Sequence, residues 1–153
     1  MHLLDLKIPP VAIVLICGAV MWATSTVWSA AAFPLPGAPI VAVTFAFVGG
    51  AIAVAGVAAF RRHSTTVNPM TPDAAKSIVT DGIYRFTRNP MYLGLALVLA
   101  GWAMYLANIA ALLMLPAFVA YMTQFQIKPE ERVLLARFGL NYAKYMASVR
   151  RWI

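Results

Sequence analysis

Residues 82–94 read GIYRFTRNPMYLG. The stretch opens on a glycine, carries two arginines and closes on Asn89-Pro90, after which no Asp, Glu, Lys or Arg occurs until Lys128. Proline lacks an N–H and fits the first turn of a helix, so Pro90 reads as a helix start. The uncharged run beyond it has room for two crossings of about 20 residues each. The stretch is therefore a polar, basic hinge at the point where the chain enters a membrane.

The same alternation holds upstream, where no charged residue lies between Lys7 and Arg61. Of 153 residues, 62% are hydrophobic and only 11% charged, a balance that soluble domains rarely show. Four spans are expected, at about 8–32, 40–60, 91–106 and 109–127. Residues 33–39, FPLPGAP, hold three prolines and a glycine, so they form a turn between the first pair. The second pair meets at Asn108 with almost no connector. Gly49, Gly50 and Gly56 in the second span suit close helix packing. Ser29-Ala30-Ala31-Ala32 has the small residues of a signal-peptidase site. The run before it is too long for a signal peptide and only Lys7 supplies positive charge, so the segment is expected to remain as a span.

Charge sets the orientation. Residues 61–90 contain five Lys/Arg and 128–153 contain six, whereas the two short turns contain none. By the positive-inside rule both basic segments and both termini are cytosolic. The expected fold is all-α: one domain, residues 1–153, forming an integral membrane bundle of four transmembrane helices with a cytosolic loop and an amphipathic C-terminal helix. On that helix Glu131, Leu134, Phe138, Tyr142, Tyr145, Val149 and Trp152 share a face, with Lys144 and Arg151 off it and Gly139 a possible break. The net charge of +7 is dispersed beside apolar spans, which fits lipid headgroups and gives no nucleic-acid stripe. The single cysteine, Cys17, lies within a span and reads as a small buried hydrophobe.

A hairpin of two spans returns the chain to the side it left. It brings residues 82–92 opposite Lys128-Pro129-Glu130-Glu131-Arg132 at roughly a helix-packing distance, about 8–10 Å. Glu130 and Glu131 either balance charge at a helix N-terminus or face a ligand, and Glu131's place on the tyrosine face favours the second. By composition alone Arg85 and Arg88 read first as interface anchors, and the Asn89-Pro90 helix start beside them could meet an anionic group. Tyr84, Tyr92, Tyr142 and Tyr145 read as an aromatic belt or a pocket wall. His63 with Thr65, Thr66 and Asn68 makes a second polar cluster. The only other histidine is His2, so no metal site is expected. No P-loop, nucleophile elbow or dinucleotide-binding glycine motif is present.

At these residues the chain resembles the isoprenylcysteine carboxyl methyltransferase-like family, which includes phospholipid methyltransferases. The resemblance rests on Gly82-Ile83-Tyr84, on Thr87-Arg88-Asn89-Pro90-Met91-Tyr92-Leu93-Gly94 and on Pro129-Glu130-Glu131. It continues through Phe138-Gly139, Tyr142, Tyr145 and Val149-Arg150-Arg151-Trp152, with a weaker upstream match at 65–69. It implies an integral membrane methyltransferase using S-adenosylmethionine, with a lipophilic or lipid substrate, membrane lipids as neighbours and no nucleic acid. Glu131 and Arg88 are the implied catalytic residues. Tyr84, Arg88, Asn89, Pro90, Tyr92, Leu93, Gly94, Glu130, Glu131, Tyr142, Tyr145 and Arg150 are the implied cofactor contacts. One glutamate would hold the cofactor's ammonium, and Arg88 or Arg150 its carboxylate. His63, Thr66 and Asn68 are expected as substrate or loop contacts.

Many members of that family carry His where this chain has Asn89, which cannot titrate near neutrality. Two other readings stand beside the methyltransferase. One is an NADPH-dependent enzyme similar to membrane sterol reductases, and the other is a non-enzymatic membrane scaffold. The acceptor is a carboxylate, a thiol or a lipid amine; with no evident general base in the sequence, the first two are favoured.

Overall fold

The computed structural model describes residues 5–63, 72 and 77–153. Seven helices carry these residues: α1 (Pro10–Val27), α2 (Ala38–Arg62), α3 (Pro90–Leu106), α4 (Ile109–Leu112), α5 (Met114–Met122), α6 (Lys128–Phe138) and α7 (Leu140–Ser148). No strand occurs among the described residues. Short 3₁₀ turns at Ser29–Ala31 and Gly82–Arg85 complete the regular structure, together with a π turn at Thr123–Ile127 that joins α5 to α6.

The bundle is organised around α3, which packs along α2 on one side and against α1 and α5 on the other. Glycines let α2 and α3 approach. A methyl on Gly94 would run into the Gly49 carbonyl oxygen, and one on Gly101 would fall 2.8 Å from the Ala42 oxygen. Such contact through small residues is how helices associate where water supplies no hydrophobic drive. The outward faces of α1 and α2 present Leu15, Trp22, Val43, Phe47 and Val54, all more than half exposed, as a lipid-facing surface requires. This is an integral membrane helical bundle, as composition implied. Its apolar helices differ in length: α2 has 25 residues, while α3 has only 17, somewhat short of the roughly 20 that span a bilayer core.

The last crossing differs from the expected simple span. From Ile109 the chain stays helical to Phe138, 30 residues and about 45 Å, well beyond a bilayer core of about 30 Å. The apolar part ends at Ile127, so Lys128–Phe138 projects past the hydrocarbon as a rigid continuation. Two prolines modulate this rod. Pro116 cannot donate to Leu112, where α4 gives way to α5, and Pro129 cannot donate to Phe125, inside the π turn. The Phe125 oxygen instead accepts from the backbone N–H of Leu6 at 3.0 Å, which pins the N-terminal segment to the turn.

At the opposite end of the bundle Asn108 ties two turns together. Its side-chain oxygen accepts from Ala110 N at 2.9 Å, capping α4, while its amide donates to the Trp28 carbonyl at 2.9 Å. The tail is not one helix. Gly139 takes φ +52°, a conformation that favours glycine, and separates α6 from α7. Leu134, Phe138, Tyr142, Tyr145 and Val149 nevertheless pack into a single cluster with Tyr84 and Ala59.

Candidate functional site

The 3₁₀ turn Gly82–Arg85, the start of α3, the start of α6 and the inner face of α7 meet at one end of the bundle. They enclose a cavity of about 70 Å³ lined by Phe60, Ser77, Tyr84, Arg88, Asn89, Tyr92, Glu130, Glu131, Tyr142 and Tyr145, among others. A volume of this size holds a few waters or the polar end of a larger ligand.

Two adjacent glutamates have different surroundings. Glu131, buried, is held from both sides: Arg88 Nη2 lies 3.1 Å from its Oε1, while Arg151 donates Nε to Oε1 at 3.0 Å and Nη2 to Oε2 at 2.7 Å. The Arg151 pairing is bidentate, the strongest form such a contact takes. It holds the Arg151 guanidinium even more firmly protonated than usual. Glu130, half-buried, meets no cation among the described residues; its Oε2 accepts from the Tyr92 hydroxyl at 3.0 Å. Burial lifts the Glu130 carboxyl to about 7, the neighbouring Glu131 charge adds to the rise, and the Tyr92 hydrogen bond opposes it.

Arg88 is committed on one side only. Its Nη2 meets Glu131, but its buried Nε and Nη1 have no partner among the described residues, nor do the buried hydroxyls of Ser77 and Tyr84. Orphaned donors in a buried site mark a place for a ligand's acceptor oxygens. Burial also pushes the hydroxyls of Tyr84, Tyr142 and Tyr145 up, so these rings remain neutral donors and apolar walls. Tyr145 donates its hydroxyl to the Tyr84 carbonyl at 2.8 Å, fixing α7 to the 3₁₀ turn.

A C-terminal strap closes the cavity's side. After Ser148 the chain leaves the helix, with Val149 extended at φ −126° and ψ 135°. Arg88 N donates to the Arg150 carbonyl at 3.0 Å, Asn89 Nδ2 donates to the Arg151 carbonyl at 2.8 Å, and Trp152 Nε1 donates to Thr123 Oγ1 at 3.0 Å. Extended backbone alternates its side chains, so Val149 points in, Arg150 is exposed and Arg151 reaches Glu131.

Of the residues expected from sequence, Tyr84, Arg88, Asn89, Tyr92, Glu130, Glu131, Tyr142 and Tyr145 converge on the cavity. Pro90 is fully buried beneath it as the first residue of α3. Leu93 and Gly94 do not line it; Gly94 faces Gly49 of α2. Arg150 contributes its carbonyl to the strap while its side chain lies outside, and Arg151 occupies the inward place assigned to it. The helical face that set Arg151 aside does not extend past Ser148, and a period of two from Val149 would have found it. His63 pairs with Asp81 at 3.0 Å, linking the end of α2 to the 3₁₀ turn rather than facing the cavity. Thr66 and Asn68 lie outside the described residues. Sequence reasoning missed Phe60, Ser77, Met91 and Ile127 as lining residues. Only the sequence position of Phe60 and Met91, at the ends of the two spans flanking the loop, hinted at this. No cluster of metal-ligating side chains occurs among the described residues.

The cavity thus gathers charged groups, aromatic walls and donors without a partner among the described residues at one end of a membrane bundle. The chain belongs to the phospholipid methyltransferase family, whose sequence profile matches residues 38–141. The matched segment contains Arg88, Asn89, Tyr92, Glu130 and Glu131, with Tyr142, Tyr145 and Arg151 just beyond it. An uncharacterized protein of Haemophilus influenzae is 43% identical over 63 residues, 41% of this chain and all of that protein. The protein-S-isoprenylcysteine O-methyltransferase of Schizosaccharomyces pombe is 33% identical over 72 residues, 47% of this chain and 30% of the yeast enzyme. The chain thus matches less than a third of the yeast enzyme's length. No solved structure gives a significant match. The chain is thus a membrane member of the phospholipid methyltransferase family.

Proposed function

We propose that the protein transfers a methyl group from S-adenosylmethionine to a lipophilic acceptor held in the membrane, at the cytosolic face. The observation that carries this reading is the Arg88–Glu131 pair, with Arg88 Nε and Nη1 left unpaired inside the cavity among the described residues. A cation with free N–H groups beside a carboxylate complements the zwitterionic amino-acid end of the cofactor, its carboxylate toward Arg88 and its ammonium toward Glu131. When bound, the cofactor supplies an activated methyl group that carries its own leaving group.

The chain's own residues then have three tasks. Arg151 holds Glu131 in place, Asn89 and Arg88 hold the strap that carries Arg151, and Tyr84, Tyr142 and Tyr145 exclude water from the reacting end. A lipophilic acceptor reaches the cavity laterally from the bilayer, between the ends of the helices. The basic segments at this end support a cytosolic location for it and for both termini by the positive-inside rule.

Cofactor binding to the detergent-solubilised protein tests the reading. S-adenosylmethionine is expected to bind and to raise the unfolding temperature, NADPH to do neither, and Arg88→Ala to lose binding while eluting as the folded protein. NADPH binding, or wild-type affinity in folded Arg88→Ala, would overturn it. Spheroplast labelling of single cysteines in the 128–153 segment tests the orientation.

A further inference from the structure

We infer, on the methyltransferase reading above, that the groove between α1 and α3 seats the hydrocarbon tail of the acceptor, and that Trp22 at its far end limits the length of chain it takes. The groove has a volume of about 520 Å³ and opens on the lipid side of the bundle. Gly18, Ala19 and Trp22 form its wall on α1, and Val98 and Trp102 its wall on α3.

The space is kept open by a glycine that packing does not require. Gly18 lies in the middle of α1, where glycine weakens a helix relative to alanine. At Gly94 and Gly101 that loss is offset, because a methyl would strike the backbone of α2. A methyl on Gly18 would meet only atoms of Trp102, 3.9 Å away, which is an ordinary contact. What the missing side chain leaves is room in the groove. The Trp102 wall is held in place: its indole N–H, which hydrocarbon cannot satisfy, donates to the Gly18 carbonyl at 3.1 Å, and its ring stacks on Tyr105 with centroids 5.4 Å apart. The groove is therefore preformed, and its walls are apolar and aromatic, as sites for apolar ligands are.

The groove continues the cavity. Met91 lines the cavity, Val98 and Trp102 line the groove, and with Leu95 between them they fall at i, i+4, i+7 and i+11 on one stripe of α3. Trp102 stands about 16 Å along the helix from Met91. The helices α1 and α3 run parallel, since Trp28 and Asn108, which follow them, are bonded at the same end of the bundle. Gly18 is level with Trp102, so Trp22, one turn further along α1, closes the groove about 6 Å deeper. A cavity of about 70 Å³ has room for the head of a lipophilic acceptor and none for its tail. The stripe from Met91 gives the tail an apolar path out of the cavity and down into the bilayer. Leaving lipid for the groove brings no hydrophobic gain, so selection there is by fit, and Trp22 is the specificity-determining residue.

The test uses the full-length protein in phosphatidylcholine nanodiscs, photolysed with trace fatty acids that carry a diazirine either beside the head or at the methyl end. The head-proximal probe is expected to label Met91 or Tyr92, and the methyl-end probe Ala19, Trp22 or Trp102. Both labels should be competed away by excess unlabelled chain. Gly18→Leu, which fills the groove, is expected to lower the methyl-end label about tenfold or more while S-adenosylmethionine binds as in wild type. Ala19→Leu on the exposed side of α1 is a second filling variant if Gly18→Leu does not fold. In Trp22→Ala the longest chain that competes should become longer; an unchanged limit would remove Trp22 as the stop. Label that does not saturate and spreads over the exposed Val43, Phe47 and Val54 of α2 would mean bulk lipid only. A dimer mass in wild type that Gly18→Leu abolishes would give the groove to a second copy of the chain. Head-proximal label away from Met91 and Tyr92 would separate the groove from the cavity and overturn the inference. Failure of wild type to bind S-adenosylmethionine would instead overturn the methyltransferase reading, and it is measured apart from the labelling.

Discussion

The Tyr92 hydroxyl donates to Glu130 Oε2 across 3.0 Å, joining the first turn of α3 to the first turn of α6. Four residues before Tyr92 and one after Glu130, Arg88 and Glu131 make a second contact between the same two segments at 3.1 Å. Two helix starts, each preceded or opened by a proline, are thereby stitched by two unlike bonds. One is neutral donor to acid, and the other is a buried ion pair.

The ion pair sets the first expectation. Glu131→Gln leaves the Arg88 and Arg151 guanidiniums facing each other with no carboxylate between them, a change that costs about 3–5 kcal/mol. Arg151→Ala is expected to cost less, because its side chain is one-third exposed (33%) and Arg88 still neutralises Glu131. Chemical unfolding of the detergent-solubilised variants measures both. Equal, small losses would show that the clamp contributes nothing to stability.

Glu130 gives the unliganded protein a pH-dependent stability. Its folded carboxyl titrates near 7, against an ordinary value of 4.5, so the folded state holds the proton more tightly than the unfolded one. The stabilisation is therefore complete below about 4.5, declines as pH rises through about 7 and is absent above it. Melting temperature measured from pH 5 to pH 8 should fall more in wild type than in Glu130→Gln. Parallel profiles would rule the effect out.

Helix contact gives a third expectation, with its own control. Gly94→Ala puts a methyl against the Gly49 carbonyl and 2.8 Å from Ala53 Cβ, where backbone must yield, so α2 and α3 separate at a cost of about 1–3 kcal/mol. Gly50→Ala meets nothing within 4 Å and gains helix propensity, so it should be neutral or slightly stabilising. Unfolding midpoints of the two variants should move in opposite directions or differ clearly in size.

Asn89→Ala removes the amide that donates to the Arg151 carbonyl at 2.8 Å, leaving the longer Thr87 contact of 3.4 Å at that oxygen. A loss of about 0.5–1.5 kcal/mol is expected, felt locally at the strap. Hydrogen exchange at 149–153 should quicken while exchange in α2 and α3 stays as it was. Unchanged exchange at the strap would show that Arg88 and Trp152 hold it alone. The hydrogen bond also gives this residue a task that needs no titration.

Much of this was legible in the chain itself. Hydrophobic runs without a single charge, proline-marked helix starts and the asymmetry of Lys and Arg gave an all-helical membrane bundle, because the bilayer demands length and apolarity that composition records directly. The juxtaposition of residues 82–92 with 128–131 followed from counting crossings. Burial of Glu131 beside the tyrosine cluster followed from helical period up to Gly139. Past Ser148 the period changes from helical to extended, so Arg151 turns in and Arg150 turns out.

The tertiary structure alone decided what each acid does. Glu130 and Glu131 are the same residue type one position apart in KPEER, a basic, polar segment of the tail. Helical period sets Glu131 on the tyrosine face, but nothing local distinguishes a carboxylate gripped by two guanidiniums from one touching a single phenol. That difference comes from α3, 38 positions upstream of Glu130 at Tyr92, and from a strap 20 positions downstream of Glu131 at Arg151. Hairpin closure and the bend after Ser148 bring these groups to within 3 Å, and electrostatics at that range is set by neighbours in space. The stretch 82–94 announced the membrane entrance, but only the folded chain shows that it is one wall of a cavity with an uncommitted acid on the other.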